Sequence, residues 1–426
     1  MRTPPPLISV VIPTYNRAGL LRRTLDSVAA QRLPAGTLEA VVADDGSSDA
    51  TREVVREFED RLPVKYHFQP DEGYGVARAR NAGAALAAAP LLLFLDTGAL
   101  LGPDSVRAHL AAHGPAPHPP GPGRVALGYT YGYNPRHPYP GLAEALERRA
   151  PEEVVRLFGD DPRFRDLRHQ ELSEVGFDPE RLNTPWMFFW TLNLSLCTAD
   201  FDAVGGFDEG FRSWGGEDLE LGYRLHRHGT TMTLLRDGWA VESPHERDMD
   251  ANSLSNQRNA GLLLERHPGP VMELYWAMYS RGRFDPPLEY EYTRLLEAAA
   301  RTRGDDLTDE IRAACAAVRP SDPARPPRIA VLGAGAAPPP ELPGGADWTL
   351  LDYDAAPARP GGRHALGLRT GLPGDSFDLV VITSRYRELW ERWGEDLLTE
   401  AGRLAPETAV SFLGPPVAAA GRRSEA

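Results

Sequence analysis

Three short hydrophobic runs, each closed by a polar cluster, constrain the fold of this chain more than any other feature. Leu7-Ile8-Ser9-Val10-Val11-Ile12, Leu38-Glu39-Ala40-Val41-Val42-Ala43 and Leu91-Leu92-Leu93-Phe94-Leu95 are near-continuous apolar stretches, as strands buried on both faces should be. Val64-Tyr66-Phe68 alternates like a strand. Helical patterns separate them: Leu20, Leu21, Leu25 and Val28, then Thr51 to Phe58, then an Ala-rich segment from Val76 to Ala88 behind Gly73-Tyr74-Gly75. This alternation predicts a doubly wound α/β sheet. Ligands of such sheets lie beyond the carboxyl ends of the strands. Tyr15-Asn16, Asp44-Asp45 and Asp96 fall at that edge. Each cluster alone could be a turn; the convergence of three favours a site.

The stretch Phe207-Asp208-Glu209-Gly210-Phe211-Arg212-Ser213-Trp214-Gly215-Gly216-Glu217-Asp218-Leu219-Glu220-Leu221 is the second constraint. Its paired glycines let another backbone or a ligand come close. Two carboxylates follow at the start of a helical pattern. Such carboxylates can be helix-capping and dipole residues; aimed into a cleft, one can take a proton from an attacking hydroxyl.

Val10-Val11-Ile12-Pro13-Thr14-Tyr15-Asn16-Arg17, Asp44-Asp45-Gly46-Ser47-Ser48-Asp49 and Ala79-Arg80-Asn81-Ala82-Gly83, with Asn193 through Gly206-Phe207-Asp208-Glu209 to Gly215-Gly216-Glu217-Asp218, resemble the family 2 glycosyltransferases of GT-A fold. The style is that of the polypeptide GalNAc-transferase and chondroitin-polymerase branch, over about residues 7 to 250. The resemblance implies a Rossmann-like mixed sheet and a nucleotide-sugar donor, a UDP-sugar being favoured. Pro13 and Tyr15 would line the base, and Asp45 would accept from the uracil imide. Arg80 would reach the base or the phosphates, Arg247 would serve the donor, and Asp96 would lie by the ribose and metal. Trp214 would form a stacking wall for the acceptor beside Gly216. Asp218 would be the general base, with Glu217 holding an acceptor hydroxyl. Direct displacement would invert the anomeric centre. A retaining hydrolase would need two opposed carboxylates at close range, and no such pair can be placed in the sequence.

A divalent ion, Mn²⁺, is implied as cofactor, with Asp96 and His245 as its protein ligands. The family pattern breaks at this point. Where Asp-x-Asp is usual, the chain has Asp96-Thr97-Gly98, which puts metal dependence in doubt and leaves Arg80 or Arg247 as possible carriers of the charge.

Composition sets outer limits. The 426 residues carry a formal net charge of −14, which argues against nucleic acid as a partner. Cys197 and Cys315 are the two cysteines, too few for a disulfide framework or a Cys-rich zinc site. No apolar run is long enough to span a membrane and no signal segment stands out, so a cytoplasmic protein is expected. Ala111 to Gly123 reads as an exposed loop with His113 and His118 solvated. Tyr129-Tyr131-Tyr133 alternate on a strand face, and Trp186 to Trp190 reads mainly as core.

The expected layout is a glycosyltransferase domain over 1–250, with a nucleotide-sugar half at 1–110 and an acceptor half at 120–250. A helical extension and linker over 251–320 and a Rossmann-like, methyltransferase-like domain over 325–415 follow. In the last of these, Gly333-Ala334-Gly335 follows an apolar run and Asp352 stands where a ribose would be held. That Gly-x-Gly signal is weak, and a non-catalytic docking or stabilising domain is favoured. Three functions compete: an inverting glycosyltransferase acting on a saccharide, peptide or small-molecule acceptor; a sugar-nucleotide or carbohydrate-binding protein without turnover; and a SAM-dependent methyltransferase carrying a sugar-binding domain.

Overall fold

The computed structural model describes residues 5–115, 121–316, 318, 322, 324–335, 340–342, 345–355, 362–413 and 417–418. His118, Pro320 and the run that follows Gly335 lie outside them. The chain divides into two compact units, Met1–Asn259 and Ala260–Ala426.

The first unit begins with β1 (Ile8–Thr14), α1 (Ala18–Ala29), β2 (Leu38–Asp44), α2 (Thr51–Arg56), β3 (Val64–Phe68), α3 (Val76–Leu86), β4 (Leu91–Leu95), β5 (Ala99–Leu101) and α4 (Ser105–His113). It continues through β6 (Arg124–Tyr131), α5 (Leu142–Arg148), α6 (Pro151–Phe158), α7 (His169–Glu174), β7 (Asn193–Cys197), α8 (Thr198–Ala203), α9 (Glu217–His228) and β8 (Thr231–Glu242). Helix α10 (Met249–Arg266) runs across the boundary. The strands form one eight-stranded mixed sheet in the order β3-β2-β1-β4-β7-β6-β8-β5. Strands β1 to β4 are parallel, and β7 turns the direction by pairing antiparallel to β4. The apolar runs are strands because both faces are covered: Ile8, Val10, Ile12, Ala40, Val42, Leu93 and Leu95 join one core with Leu21, Leu25 and Val28 of α1.

Two local features place the functional edge. Strand β5 is only three residues long, yet it pairs antiparallel with β8, Ala99 opposite Glu242, and the Ser243 N–H donates to the Gly98 carbonyl at 2.9 Å. The Asp96-Thr97-Gly98 turn is thereby held against the segment that follows β8. Helix α3 lies close on the sheet because Gly83 has no side chain: a Cβ there would come within 2.6 Å of Val11. Two residues earlier, Asn81 exchanges two hydrogen bonds with the backbone of Phe207, at 2.9 and 3.0 Å. Three of the four positions of the Arg80-Asn81-Ala82-Gly83 motif thus serve a site (Arg80), a loop anchor (Asn81) and a helix–sheet contact (Gly83).

The exposed loop expected from Ala111 starts later, since Ala111 to His113 close α4, and His113 is not the solvated side chain expected. His113 ends α4 and its Nε2 lies 2.8 Å from Ser195 Oγ. The reason is a buried polar cluster in which His109 bonds Ser195 and Asn193. Burial drives the His109 imidazole down to about 3, so it stays neutral. Tyr131 stacks on Phe164 with ring centroids 5.4 Å apart, whereas Tyr133 meets Trp190 at 5.6 Å. Trp186, Phe188 and Phe189 are buried.

The second unit holds α11 (Pro270–Ser280), α12 (Leu288–Thr302), α13 (Thr308–Cys315), β9 (Arg328–Leu332), β10 (Asp347–Asp352), β11 (Arg363–His364), β12 (Leu379–Ile382), α14 (Trp390–Leu404), β13 (Glu407–Val410) and β14 (Val417–Ala418). Its sheet order is β11-β10-β9-β12-β13-β14, parallel except for the last pair. Asp352 is used internally: it accepts from the N–H groups of Gly335 and Asp354 at 2.6 and 2.8 Å and from the Arg385 guanidinium at 3.1 Å. The carboxylate of Glu273, on α11, accepts from four consecutive backbone N–H groups, Leu366 to Arg369, at 2.8–3.0 Å.

No helix among the described residues is long and apolar enough to cross a membrane.

Candidate active site

The carboxyl ends of β1, β2 and β4, the start of α9 and the segment after β8 converge in the first unit. Arg80 is central. It is 3% exposed, with Nη1 3.0 Å from Glu217 Oε1 and Nη2 2.8 Å from Asp96 Oδ1. Its guanidinium also lies over the Phe207 ring, 5.4 Å from the centroid. Burial opposes its charge, but the Asp96 and Glu217 carboxylates outweigh it and hold the cation firmly charged. The same arginine therefore joins the donor-side Asp96 to the acceptor-side Glu217.

Glu217 and Asp218 open α9. Gly215 and Gly216 precede them in the left-handed region, at φ +94° and +92°, which side chains other than glycine rarely adopt. The turn is tied down by Asn259, whose amide donates to the carbonyls of Ser213 at 3.0 Å and Trp214 at 3.3 Å. Ser255 Oγ also donates to the Trp214 carbonyl, at 2.7 Å. Trp214 itself is half-buried. Glu217 is buried, and its Oε2 has no hydrogen-bond partner among the described residues. Asp218 accepts from the Leu219 N–H at 2.8 Å. Burial first, and then the neighbouring Glu217 carboxylate, raise the Asp218 carboxyl well above the ordinary range, with Arg80 pulling the other way. A carboxylate of that kind is a stronger base than one in water.

On the nucleotide side, Pro13 is buried in β1, and Thr97 Oγ1 donates to its carbonyl at 2.8 Å. Tyr15 is exposed, its hydroxyl 2.8 Å from Asp71 Oδ2. Asp45 is 7% exposed and turned to its own loops: Gln69 donates to Oδ1 at 2.5 Å and the Gly75 N–H to Oδ2 at 2.8 Å. Burial raises its carboxyl against those two bonds.

The remaining charges gather after β8. Glu242 is buried; burial pushes its carboxyl up to about 7, with Arg247 working against that. Arg247 pairs with Glu242 and lies over the Tyr133 ring at 5.5 Å. His245 Nδ1 lies 3.1 Å from the Ser243 carbonyl and its Nε2 lies 2.8 Å from Arg17 Nη1. Burial, then the Arg247 and Arg17 charges, move the His245 imidazole down to about 4. Sequence reasoning assigned no role to Arg17, Tyr133 or Glu242. Arg17 stood within a quoted motif and Glu242 beside His245, but nothing local showed that the two segments meet.

The expected Mn²⁺ pair does not fit a divalent ion as it is placed. Asp96 Oδ1 is taken by Arg80, and His245 Nε2 by Arg17. Gly98 adds no ligand, and its φ of +107° would strain an aspartate there. Among the described residues no group of three His, Cys, Asp or Glu side chains is placed to hold a metal ion.

A nucleotide-side sheet edge joined by one buried arginine to a carboxylate pair on a glycine-turned helix defines a sugar-transferring site of GT-A type. The chain belongs to glycosyltransferase family 2. The model "Glycosyl transferase family 2" matches residues 9–117, and "N-terminal domain of galactosyltransferase" matches residues 173–245. The chain is 49% identical over 411 residues to a validoxylamine A glucosyltransferase of Streptomyces hygroscopicus subsp. jinggangensis, covering 94% of this chain and 96% of that protein. It is 34% identical over 231 residues to the chondroitin synthase of Escherichia coli, covering 52% of this chain and 32% of that protein. Among solved structures it is similar to a mannosyltransferase from Pyrobaculum calidifontis in complex with GDP-Man and Mn²⁺, with 18% identity, coverage of 74% and 81%, and a TM-score of 0.42. The protein is thus a glycosyltransferase that works from a nucleotide-sugar donor.

Proposed function

We propose that this enzyme transfers a glucosyl group, with inversion, from a UDP-sugar to a hydroxyl of a small cyclitol or saccharide acceptor, with Asp218 as the general base. The observation that carries the reading is the Arg80 bridge. It fixes Glu217, and with it the start of α9, at a set place relative to Asp96. The 49% identity over nearly the full length of a validoxylamine A glucosyltransferase supports the donor and the size of the acceptor.

In this reading the acceptor oxygen bonds to the anomeric carbon as the bond from that carbon to the diphosphate oxygen breaks. The electron pair leaves with the diphosphate, and the hydroxyl proton passes to Asp218. The raised pKa of Asp218 suits it to hold that proton. Glu217 Oε2, buried and without a partner among the described residues, accepts from an acceptor hydroxyl and aligns it. Trp214 supplies a flat wall for a ring. Orientation of two bound reactants is itself a large part of the rate.

The test is to incubate the enzyme with UDP-glucose and validoxylamine A and to determine the anomeric configuration of the product by NMR. A β-glucoside is the expected product. Retention would remove the single-displacement mechanism. Turnover with chondroitin oligosaccharides but not with the cyclitol would move the acceptor to the polymerase branch.

A further inference from the structure

Three arginines stand at the donor side of the cleft, and their charges are not equivalent. Arg80 is buried between two carboxylates. Arg247 is paired with the buried Glu242. Arg17 is exposed, and among the described residues it makes no carboxylate ion pair; the hydrogen bond that its guanidinium makes is to His245 Nε2. The direction of that bond follows from its partners. The Ser243 carbonyl can only accept, so His245 Nδ1 carries the proton; a guanidinium can only donate, so Nε2 accepts. The imidazole facing Arg17 is therefore neutral, and the Arg17 charge is balanced only at a distance, by Glu242 and Asp96.

Its position is equally specific. Arg17 lies just past the carboxyl end of β1, at the start of α1. It is seated on Nε2 of His245, the residue that the family resemblance gives to the metal, next to the turn where Gly98 replaces the usual second aspartate. A Cβ on Gly98 would lie 3.8 Å from His245 Nδ1, so the missing carboxylate and the arginine border the same imidazole.

We propose that Arg17, held by His245 beside the Asp96-Thr97-Gly98 turn, is the cation that binds the donor diphosphate, so that nucleotide binding in this enzyme does not depend on a divalent ion. The inference rests on the reading that the cleft takes a nucleotide sugar. A guanidinium offers a planar pair of N–H donors that matches two phosphate oxygens. The charge left on the diphosphate as the sugar departs needs a fixed positive partner, and of the three arginines Arg17 is the one that no carboxylate holds in a direct ion pair among the described residues, Glu242 and Asp96 acting on it from farther off. His245 then serves as its positioning residue.

Calorimetry on the full chain, stripped with EDTA and kept metal-free, tests this with UDP, GDP and uridine as probes, and again with added Mn²⁺. The expected result is that one diphosphate binds with an affinity within about threefold in the two conditions. Arg17→Ala should then weaken that binding by ~10–100-fold, the worth of a charged hydrogen-bonded contact, and leave uridine binding unchanged. Arg17→Gln, which keeps a donor but not the charge, should lose most of the same affinity. Diphosphate binding that needs Mn²⁺ would overturn the assignment while leaving the donor reading in place, as would an Arg17→Ala or Arg17→Gln protein that binds like the wild type. Failure of both diphosphates in both conditions would overturn the donor reading, and the assignment with it.

Discussion

Arg80 Nη1 and Glu217 Oε1 lie 3.0 Å apart although 137 residues separate them in the chain. Both side chains are buried, so neither charge can fall back on solvent if the other is removed. Arg80→Ala would leave Glu217 facing Asp96 with no cation between. We expect a loss of about 3–5 kcal/mol, the cost of breaking a buried pair, in urea unfolding followed by tryptophan fluorescence. Arg80→Lys should recover only part of it, since one ammonium cannot span two carboxylates as a guanidinium does.

Asp218→Asn should keep donor affinity and lose about 10²–10⁴ in turnover, the usual worth of a general base. The pH profile gives a second reading. A base works deprotonated, and burial and Glu217 raise the Asp218 carboxyl. The wild-type rate should therefore rise with pH along a limb displaced upward from the solvated-carboxylate value of about 4, and the variant should lack that limb. A rate that is flat between pH 5 and 9 would remove Asp218 from the role.

The same shift has a stability consequence of opposite sense. A carboxyl whose folded pKa lies above its unfolded one binds the proton more tightly when folded. Its favourable contribution is complete below the unfolded pKa and is lost as pH rises through the folded one. Asp218→Asn should therefore raise the melting temperature at pH 8 and change it little at pH 4. Differential scanning fluorimetry at the two pH values measures the difference.

Asp45→Ala should weaken UDP binding and loosen its loop at the same time. Asp45 holds Gln69 and the Gly75 N–H, and both would be left without that acceptor. Roughly 1–3 kcal/mol of stability should be lost from the unsatisfied groups. An alanine variant with unchanged melting temperature and unchanged UDP affinity would show that neither bond matters.

The second unit should not bind SAM. Asp352, the residue that would hold a ribose, is already met by two backbone N–H groups and by Arg385. Titration calorimetry with SAM on the full chain is expected to give no heat of binding at micromolar concentrations. A micromolar complex would revive the methyltransferase alternative.

What could be read in the sequence followed the burial of each residue type. The strands at 8–14, 38–44 and 91–95 were legible because both of their faces are covered, which demands unbroken apolar runs. Glu217-Asp218 was legible because the glycine turn that aims them is local. The Arg17–His245 contact was not, since 228 residues separate the partners and the pairing that unites them runs through β5, three residues long and too short for any period to show. His113 was misjudged for a related reason: its partner, Ser195, comes from a strand 82 residues away. Asp45 drew attention through its motif, but that its oxygens point into the protein's own loops depends on where Gln69 and Gly75 return.

Glu273 bears on where this protein could be cut. Four N–H groups in a row make a concave cradle for an anion, and here the occupant is a side chain from α11, more than ninety residues upstream of the cradle. The three helices between residues 270 and 315 are therefore not a spacer between two machines. One of them carries the plug for a socket in the sheet that follows. A truncation in the proline-rich stretch near residue 325 would leave that socket open, with its amides facing no acceptor, and should yield a C-terminal fragment that is insoluble or unfolded. A cut just ahead of Pro270 keeps plug and socket on one piece, and that is the fragment we expect to be expressed as a folded body.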